Sequence, residues 1–411
     1  MTTVRWEKPV FETRIFSNKF KKCFENSIKS CIFAANMARE YVNIKPEMLT
    51  WAITRAGHDV DAYLEKNPQV KTWIDGEKKP TVRQLEIFAD KVYIPYGFLL
   101  MEKQLDEKCP IPFFRTKTKG DHFNLNVYEA VITMQNRQHW LSEYLSANDY
   151  DKPLFVGRYS KEHNKAKVVE AIREILDLTP DWAFGLQSTS AAINMFVSRL
   201  ENVGCIVMFQ SMIGFRTSRK IPVSECRGFT LVDEHAPCIF INNDDAPGAK
   251  LFTLVHEFVH VLKGESVGDG GDDTGKEENE LERFCDAVAA EFLMPEDLFR
   301  DIWTQRKGDF KRVASPFKVS GLAAARRALT LGLITEERFF TYYQWLTSLP
   351  VAPKTKGGSG DFYATAKKRL GYAFLVHVRN AINSNQLLYR DAYALTGYSG
   401  NSFNKLINEH L

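Results

Sequence analysis

The sequence predicts an α+β protein, predominantly helical, with a small antiparallel sheet packed on one long apolar helix and a compact helical domain N-terminal to both. Three observations carry this expectation. The short runs CIVMFQ, GFTLVD and CIFIN, rich in β-branched and aromatic residues, follow one another between 205 and 242 with turn-forming residues between them. Next comes LFTLVHEFVHVLKG, 251–264, whose apolar residues cover most of a helix surface. Elsewhere apolar residues recur at helical spacing between capping and breaking residues.

The chain has 411 residues, 44% of them apolar, which is enough for two or three domains. Lys plus Arg total 54 against 51 Asp plus Glu, a net charge of +3. That balance excludes a histone-like coating protein and leaves room only for local charged faces. No apolar run approaches the ~20 residues a membrane-spanning helix requires. The opening MTTVRWEKPVFETR has no uninterrupted apolar segment of the secretory kind. Seven cysteines (Cys23, Cys31, Cys109, Cys205, Cys226, Cys238, Cys285) form no CxxC pair and read as reduced thiols. The expectation is a cytoplasmic protein with no membrane partner.

In chain order, 1–43 reads as a helical extension, with Phe20, Ile28, Ile32 and Met37 at roughly helical spacing. Residues 44–105 read as five short helices. Pro46 opens the first and Gly57 closes it; Asp59 caps the second; NPQVKTWIDGEKKP holds the third. Thr81 with Gln84 three residues on signs a capping box before the fourth, and Pro95 precedes the fifth. A helical connector follows over 106–185, with the loop CPIPFFRTKTKG and helices near 125–147 and 163–176. The strands and helices of 186–349 form the central domain. PVAPKTKGGSGD makes 350–361 a linker by composition, and 362–411 is a helical tail. GGSG has no strand before it and no third spaced glycine, so it is not a phosphate loop.

Chemistry concentrates in the apolar helix. His256 and His260 are four apart, ~40° around the helix and ~6 Å along it, so both imidazoles can reach one cation. Glu257 lies beside the first histidine, placed to act on water at the open position of a three-ligand zinc site. It would take the water's proton and hand it to a leaving amine. On an otherwise apolar helix such a Glu is costly unless a cation is near. The third ligand should come from NELERFCDAVAAEFLMP, 279–295, which offers Glu280, Glu282 and Glu291. Cys285, Asp286, Ala289 and Ala290 give it a face of small residues, which favours Glu282 over Glu291. Asp286, one turn on, is either the acceptor that orients a ligand histidine or a plain solvent-facing residue.

RGFTLVDEHAPCIFINNDDAPGAKLFTLVHEFVHVLKGES, followed by LERFCDAVAAEFLMP, resembles the ImmA/IrrE family of metallopeptidases over about 225–296. The resemblance implies zinc ligands His256, His260 and Glu282 with Glu257 as general base. It departs at Asp286, where the family usually carries Asn; Asp is the stronger acceptor for an imidazole N–H. It further implies that CIFIN, 238–242, is an edge strand that pairs with an extended substrate by strand addition. Between the ligand helices, residues 265–282 hold eight acidic residues and one Lys. That stretch is either a solvated loop or a filter favouring basic peptide segments.

Residues 44–101 resemble the Xre-type helix-turn-helix often fused to this peptidase, DGEKKPTVRQLE being the most specific piece. Where that family places a buried ion pair, this chain has Ile53 and Ile74, which are expected to touch. Gln69, Lys71 and Thr72 are the candidate DNA contacts, with Lys78 and Lys79 behind them. Residues 41–105 carry nine Lys/Arg and nine Asp/Glu, so no net attraction to phosphates is evident. The function expected is a zinc-dependent (Zn2+) endopeptidase cleaving a regulatory protein such as a repressor or a toxin-system partner, with DNA as a second partner. The alternative is a helix-turn-helix transcription regulator or antitoxin-like protein that binds DNA or a partner toxin, its zinc site structural or conditionally active. The oligomeric state is not legible.

Overall fold

The structure, a computed structural model, describes residues 40–104, 109–114, 124–215, 217–269, 280–349 and 361–411. The helix read within 1–43, the linker 350–361 up to its last residue and the middle of the acidic loop lie outside the described residues. The chain divides into two compact units between Glu107 and Lys108.

The first unit holds five described helices: α1 (Pro46–Arg55), α2 (Val60–Lys66), α3 (Pro68–Ile74), α4 (Val82–Lys91) and α5 (Tyr96–Leu99). Local chemistry sets their ends. Pro46 needs no hydrogen-bond acceptor at the first turn, and Gly57 turns the chain at a φ of 80°. The Asp59 carboxylate accepts the Ala62 N–H at 2.9 Å at the start of α2. Before α4, Thr81 Oγ1 accepts the Gln84 N–H at 3.3 Å and Gln84 Oε1 accepts the Thr81 N–H at 2.9 Å, closing the capping box. Leu49, Ile53, Val70, Trp73, Leu85 and Phe88 form the core, and Ile74 packs on the same cluster as Ile53.

The second unit is built around a sheet with helices on both faces. In chain order it comprises β1 (Phe113–Phe114), α6 (Leu125–Ala147), α7 (Lys165–Leu176), α8 (Thr189–Asn202), β2 (Ile206–Gln210), β3 (Gly228–Leu231), β4 (Cys238–Asn242), α9 (Pro247–Lys263), β5 (Gly268–Asp269), α10 (Glu280–Leu293), α11 (Glu296–Gln305), α12 (Phe310–Phe317), α13 (Gly321–Thr330), α14 (Glu336–Ser348), α15 (Phe362–Leu370), α16 (Tyr372–Asn383), α17 (Tyr389–Thr396) and α18 (Gly400–Asn408). No described helix is long and apolar enough to cross a membrane.

The sheet corrects the sequence reading: it is mixed, not antiparallel. Its order is β1-β5-β3-β4-β2, with β2 parallel to β4, β1 parallel to β5, and β3 antiparallel to both β4 and β5. The antiparallel partner of β3 is β4, which inserts between β3 and β2; β2 then meets β4 running the same way. Parallel pairing is covered on both faces, as it generally must be. Alternation sorts the side chains. Val207, Phe209, Ile239 and Ile241 face the core formed with α7–α13, whereas Ile206, Met208, Phe229, Leu231, Cys238 and Phe240 face a core shared with α6 and α15–α18. Phe229 and Phe240, paired across β3 and β4, stack at 4.5 Å.

The helices near 125–147 and the tail 361–411 therefore pack together as the layer on the sheet's second face, inside the same unit as the metal helix. The tail also shields the outer edge of β2. A Cβ on Gly371, between α15 and α16, would lie 3.0 Å from the Val207 carbonyl oxygen, and its φ of 79° is one glycine adopts freely.

Candidate metal centre

Helix α9 begins with Pro247 and stops at Gly264, whose left-handed conformation lets its N–H return to the His260 carbonyl at 2.9 Å. Every residue from Thr253 to Lys263 is buried. Leu251, Leu254, Val255, Phe258, Val259 and Leu262 join the first core, which leaves His256, Glu257 and His260 as a polar stripe inside the protein. From α10, Glu282 enters the same space and is 1% exposed.

His256, His260 and Glu282 each turn one ligand atom to a common point, all within 4.8 Å of one another. His256 Nε2 and His260 Nε2 are 3.0 Å apart, and the Glu282 oxygens each lie 3.2 Å from one of them. Neither Glu282 oxygen accepts a well-aligned hydrogen bond. Acceptor atoms facing one another at such distances inside a protein repel unless a proton or cation lies between them. Two imidazoles and a carboxylate suit a divalent cation of the zinc type.

The titration of the three residues follows from this crowding. Burial disfavours a charged His256, but its hydrogen bond with Asp286 and the close carboxylate of Glu282 outweigh it and raise its pKa well above the ordinary value. Burial lowers His260, the close carboxylate of Glu282 offsets this only in part, and the neighbouring His256 adds to the lowering. Burial alone would raise Glu282; the two histidines hold it far below the usual carboxylate range.

Surrounding groups fix the cluster. His256 Nδ1 and Asp286 Oδ1 are 2.9 Å apart, so with Nδ1–H donating to the carboxylate, Nε2 is left as the atom facing the centre. Cys285 Sγ lies 3.8 Å from His260 Nδ1. Thr230 on β3 donates from its hydroxyl to Glu257 Oε2 at 2.7 Å. Thr230 is not singled out by the sequence, and Cys285 reads there only as part of the small-residue face of the third-ligand helix. In GFTLVD, though, the alternation that sends Phe229 and Leu231 to the second core leaves Gly228 and Thr230 as the small and polar residues under the metal helix.

The other candidates sit elsewhere. Glu280 is exposed. Glu291 bonds Arg327 at 2.7 Å and Lys165 at 3.1 Å, tying α10 to α13 and α7. Gln69 and Lys71 are exposed on α3, and the Thr72 hydroxyl donates to the Gln69 carbonyl at 2.9 Å within that helix. The edge-strand reading of CIFIN is overturned: as β4 it is bonded to β3 on one side and β2 on the other, so neither side is free for an added strand.

Residues 216–329 match the family model of the IrrE N-terminal-like domain, the peptidase M78 family. Residues 370–409 match a second family, described only as a domain of unknown function. A search of curated proteins found no match to the chain. The first match spans β3 through α13 and contains His256, Glu257, His260, Glu282 and Asp286, so this stretch is a domain of metallopeptidase type similar to the IrrE N-terminal-like family.

Proposed function

We propose that the chain is a zinc-dependent endopeptidase that cleaves a regulatory protein, with His256, His260 and Glu282 as metal ligands and Glu257 as general base. The observation that supports this most directly is the buried convergence of two imidazoles and one carboxylate within 4.8 Å, beside a second buried carboxylate. When bound, a zinc ion supplies Lewis acidity that acidifies water and polarises a peptide carbonyl.

The chain's own residues do the rest. Asp286 holds the His256 ring so that Nε2 presents its lone pair. Thr230 orients the Glu257 carboxylate from the sheet. Glu257 takes the proton of the attacking water and passes it to the leaving amine. Burial of His256, Glu257, His260 and Glu282 places their interactions in the low-dielectric interior, where they are stronger than in water. The substrate class proposed is a repressor or toxin-system partner, and exposed Gln69 and Lys71 are the groups with which the first unit would meet DNA.

The test is metal analysis together with partner co-purification, on wild type and Glu257→Gln. Both forms should carry stoichiometric zinc, and the variant should retain intact a partner that wild type returns cleaved. If Glu257→Gln keeps zinc and the cellular phenotype persists, proteolysis is not the function and the regulator or antitoxin-like reading takes its place.

A further inference from the structure

We propose that α17 and α18, the last two helices of the chain, form a helix-turn-helix that docks on duplex DNA through the outward face of α18. The two helices are joined by only Gly397, Tyr398 and Ser399. Gly397 ends α17 in the left-handed region, φ 76°, with its N–H returning to the Tyr393 carbonyl at 2.8 Å. The Thr396 hydroxyl accepts the Tyr398 N–H at 3.3 Å, and Tyr398 is buried beneath the turn. A short glycine-containing turn, pinned from within, is the joint that holds a second helix across the first.

The inward faces pack. Ala392, Phe403, Leu406 and Ile407 belong to the second core with Leu375, Val378 and Ala381 of α16, and the Tyr393 and Phe403 rings meet edge to face at 5.0 Å. The outward face of α18 is different in kind. Asn401, Ser402, Asn404, Lys405 and Asn408 are all exposed, and none of the five side chains makes a hydrogen bond within the described residues. Three asparagines in nine residues weaken a helix, since Asn ranks among the poorer helix formers, and here none caps it through a side-chain hydrogen bond. Amide, hydroxyl and ammonium groups on the second helix of such a pair are the chemistry that reads base edges in the major groove: Asn pairs with adenine, Lys with guanine or phosphate.

Charge points to the same occupant. Residues 361–411 carry six Lys/Arg and three Asp/Glu, whereas 41–105 are balanced at nine and nine. The tail's excess of three cations favours a polyanion such as a duplex as its occupant. The face of α18 itself holds no carboxylate before Glu409.

The test uses the full-length protein and a random-sequence duplex pool, with selection followed by fluorescence anisotropy on the enriched duplex and a scrambled one across a salt series. Wild type should enrich a defined sequence. Asn404→Ala should reduce the preference for that sequence over the scrambled duplex about tenfold. Lys405→Ala should weaken both complexes and lower the slope of log affinity against log salt by about one. Thermal melting checks that these exposed substitutions leave the fold intact. Absence of duplex binding by wild type overturns the proposal. So does binding by both variants that matches wild type, the result expected if α18 meets a protein or if DNA is held elsewhere on the chain.

Discussion

The hydroxyl of Thr230 on β3 reaches across to the carboxylate of Glu257 on α9, Oγ1 to Oε2 at 2.7 Å, and ties the sheet to the acid beside the metal-type cluster. Gly228, two residues earlier on the same face, leaves room for that carboxylate: a Cβ there would stand 3.0 Å from Glu257 Oε1 and 2.7 Å from the Thr253 methyl. The position of Glu257 is thus set by the strand as well as by its own helix.

Removing the donor at constant shape tests this coupling. Thr230→Val should destabilise the second unit by about 1.5–3 kcal/mol, the range for a hydrogen bond to a charged group, while Thr230→Ser keeps most of the stability. Urea unfolding of the three proteins is the measurement. Equal stability of the Val variant and wild type would show that the Thr230 contact contributes nothing.

Taking the cation away tests the cluster as a ligand set. Extracting zinc with a chelator should lower the thermal midpoint of the second unit, and His260→Ala should prevent zinc from restoring it. Saturation at about a thousand times the dissociation constant is worth about 4 kcal/mol of apparent stability. Scanning calorimetry with and without chelator reads the shift directly, and an unchanged midpoint would mean that no metal is held there.

The local signals were legible in the chain. Pro46, Asp59 and the Thr81–Gln84 pair each act through neighbours within a turn, so their roles follow from sequence spacing alone. The pairing of His256 with His260 is likewise a one-helix property. What spacing could not supply was sheet order. CIFIN reads the same whether it lies at an edge or in the middle, because Ile239 and Ile241 are buried in one core and Cys238 and Phe240 in the other, with Asn242 buried beside them. Its central place is fixed by β2, a strand some thirty residues upstream in sequence. The tail's role as a structural layer was hidden for the same reason, since its apolar faces are matched by residues of the sheet and of α6, both distant in sequence.

In the first unit, Thr81→Ala should remove the reciprocal cap of α4 and cost about 1 kcal/mol, with Gln84→Ala costing less because the Thr81 hydroxyl still accepts the backbone N–H. Thermal melting of the two variants against wild type gives the order. The reverse order would place the dominant contact on the Gln84 side chain.

Glu201 makes the stability of the second unit depend on pH. Its carboxyl, on α8 close to Gly371 at the α15–α16 joint, is pushed up to about 7 by burial, although the N–H groups of Ala373, Tyr372 and Val207 pull the other way. The unfolded chain releases this proton near its ordinary value of 4.5, whereas the folded chain keeps it until about 7. Between those values the folded state binds more protons, so stability falls as pH rises and the full cost is present above the folded value. Glu201→Gln removes the ionisation and should match wild type near the low end of that window, yet exceed it above neutrality by on the order of 2 kcal/mol. Urea unfolding of both proteins at pH values on either side of the window reads the difference. A gap of the same size on both sides would mean that ionisation of Glu201 is not what the substitution relieves.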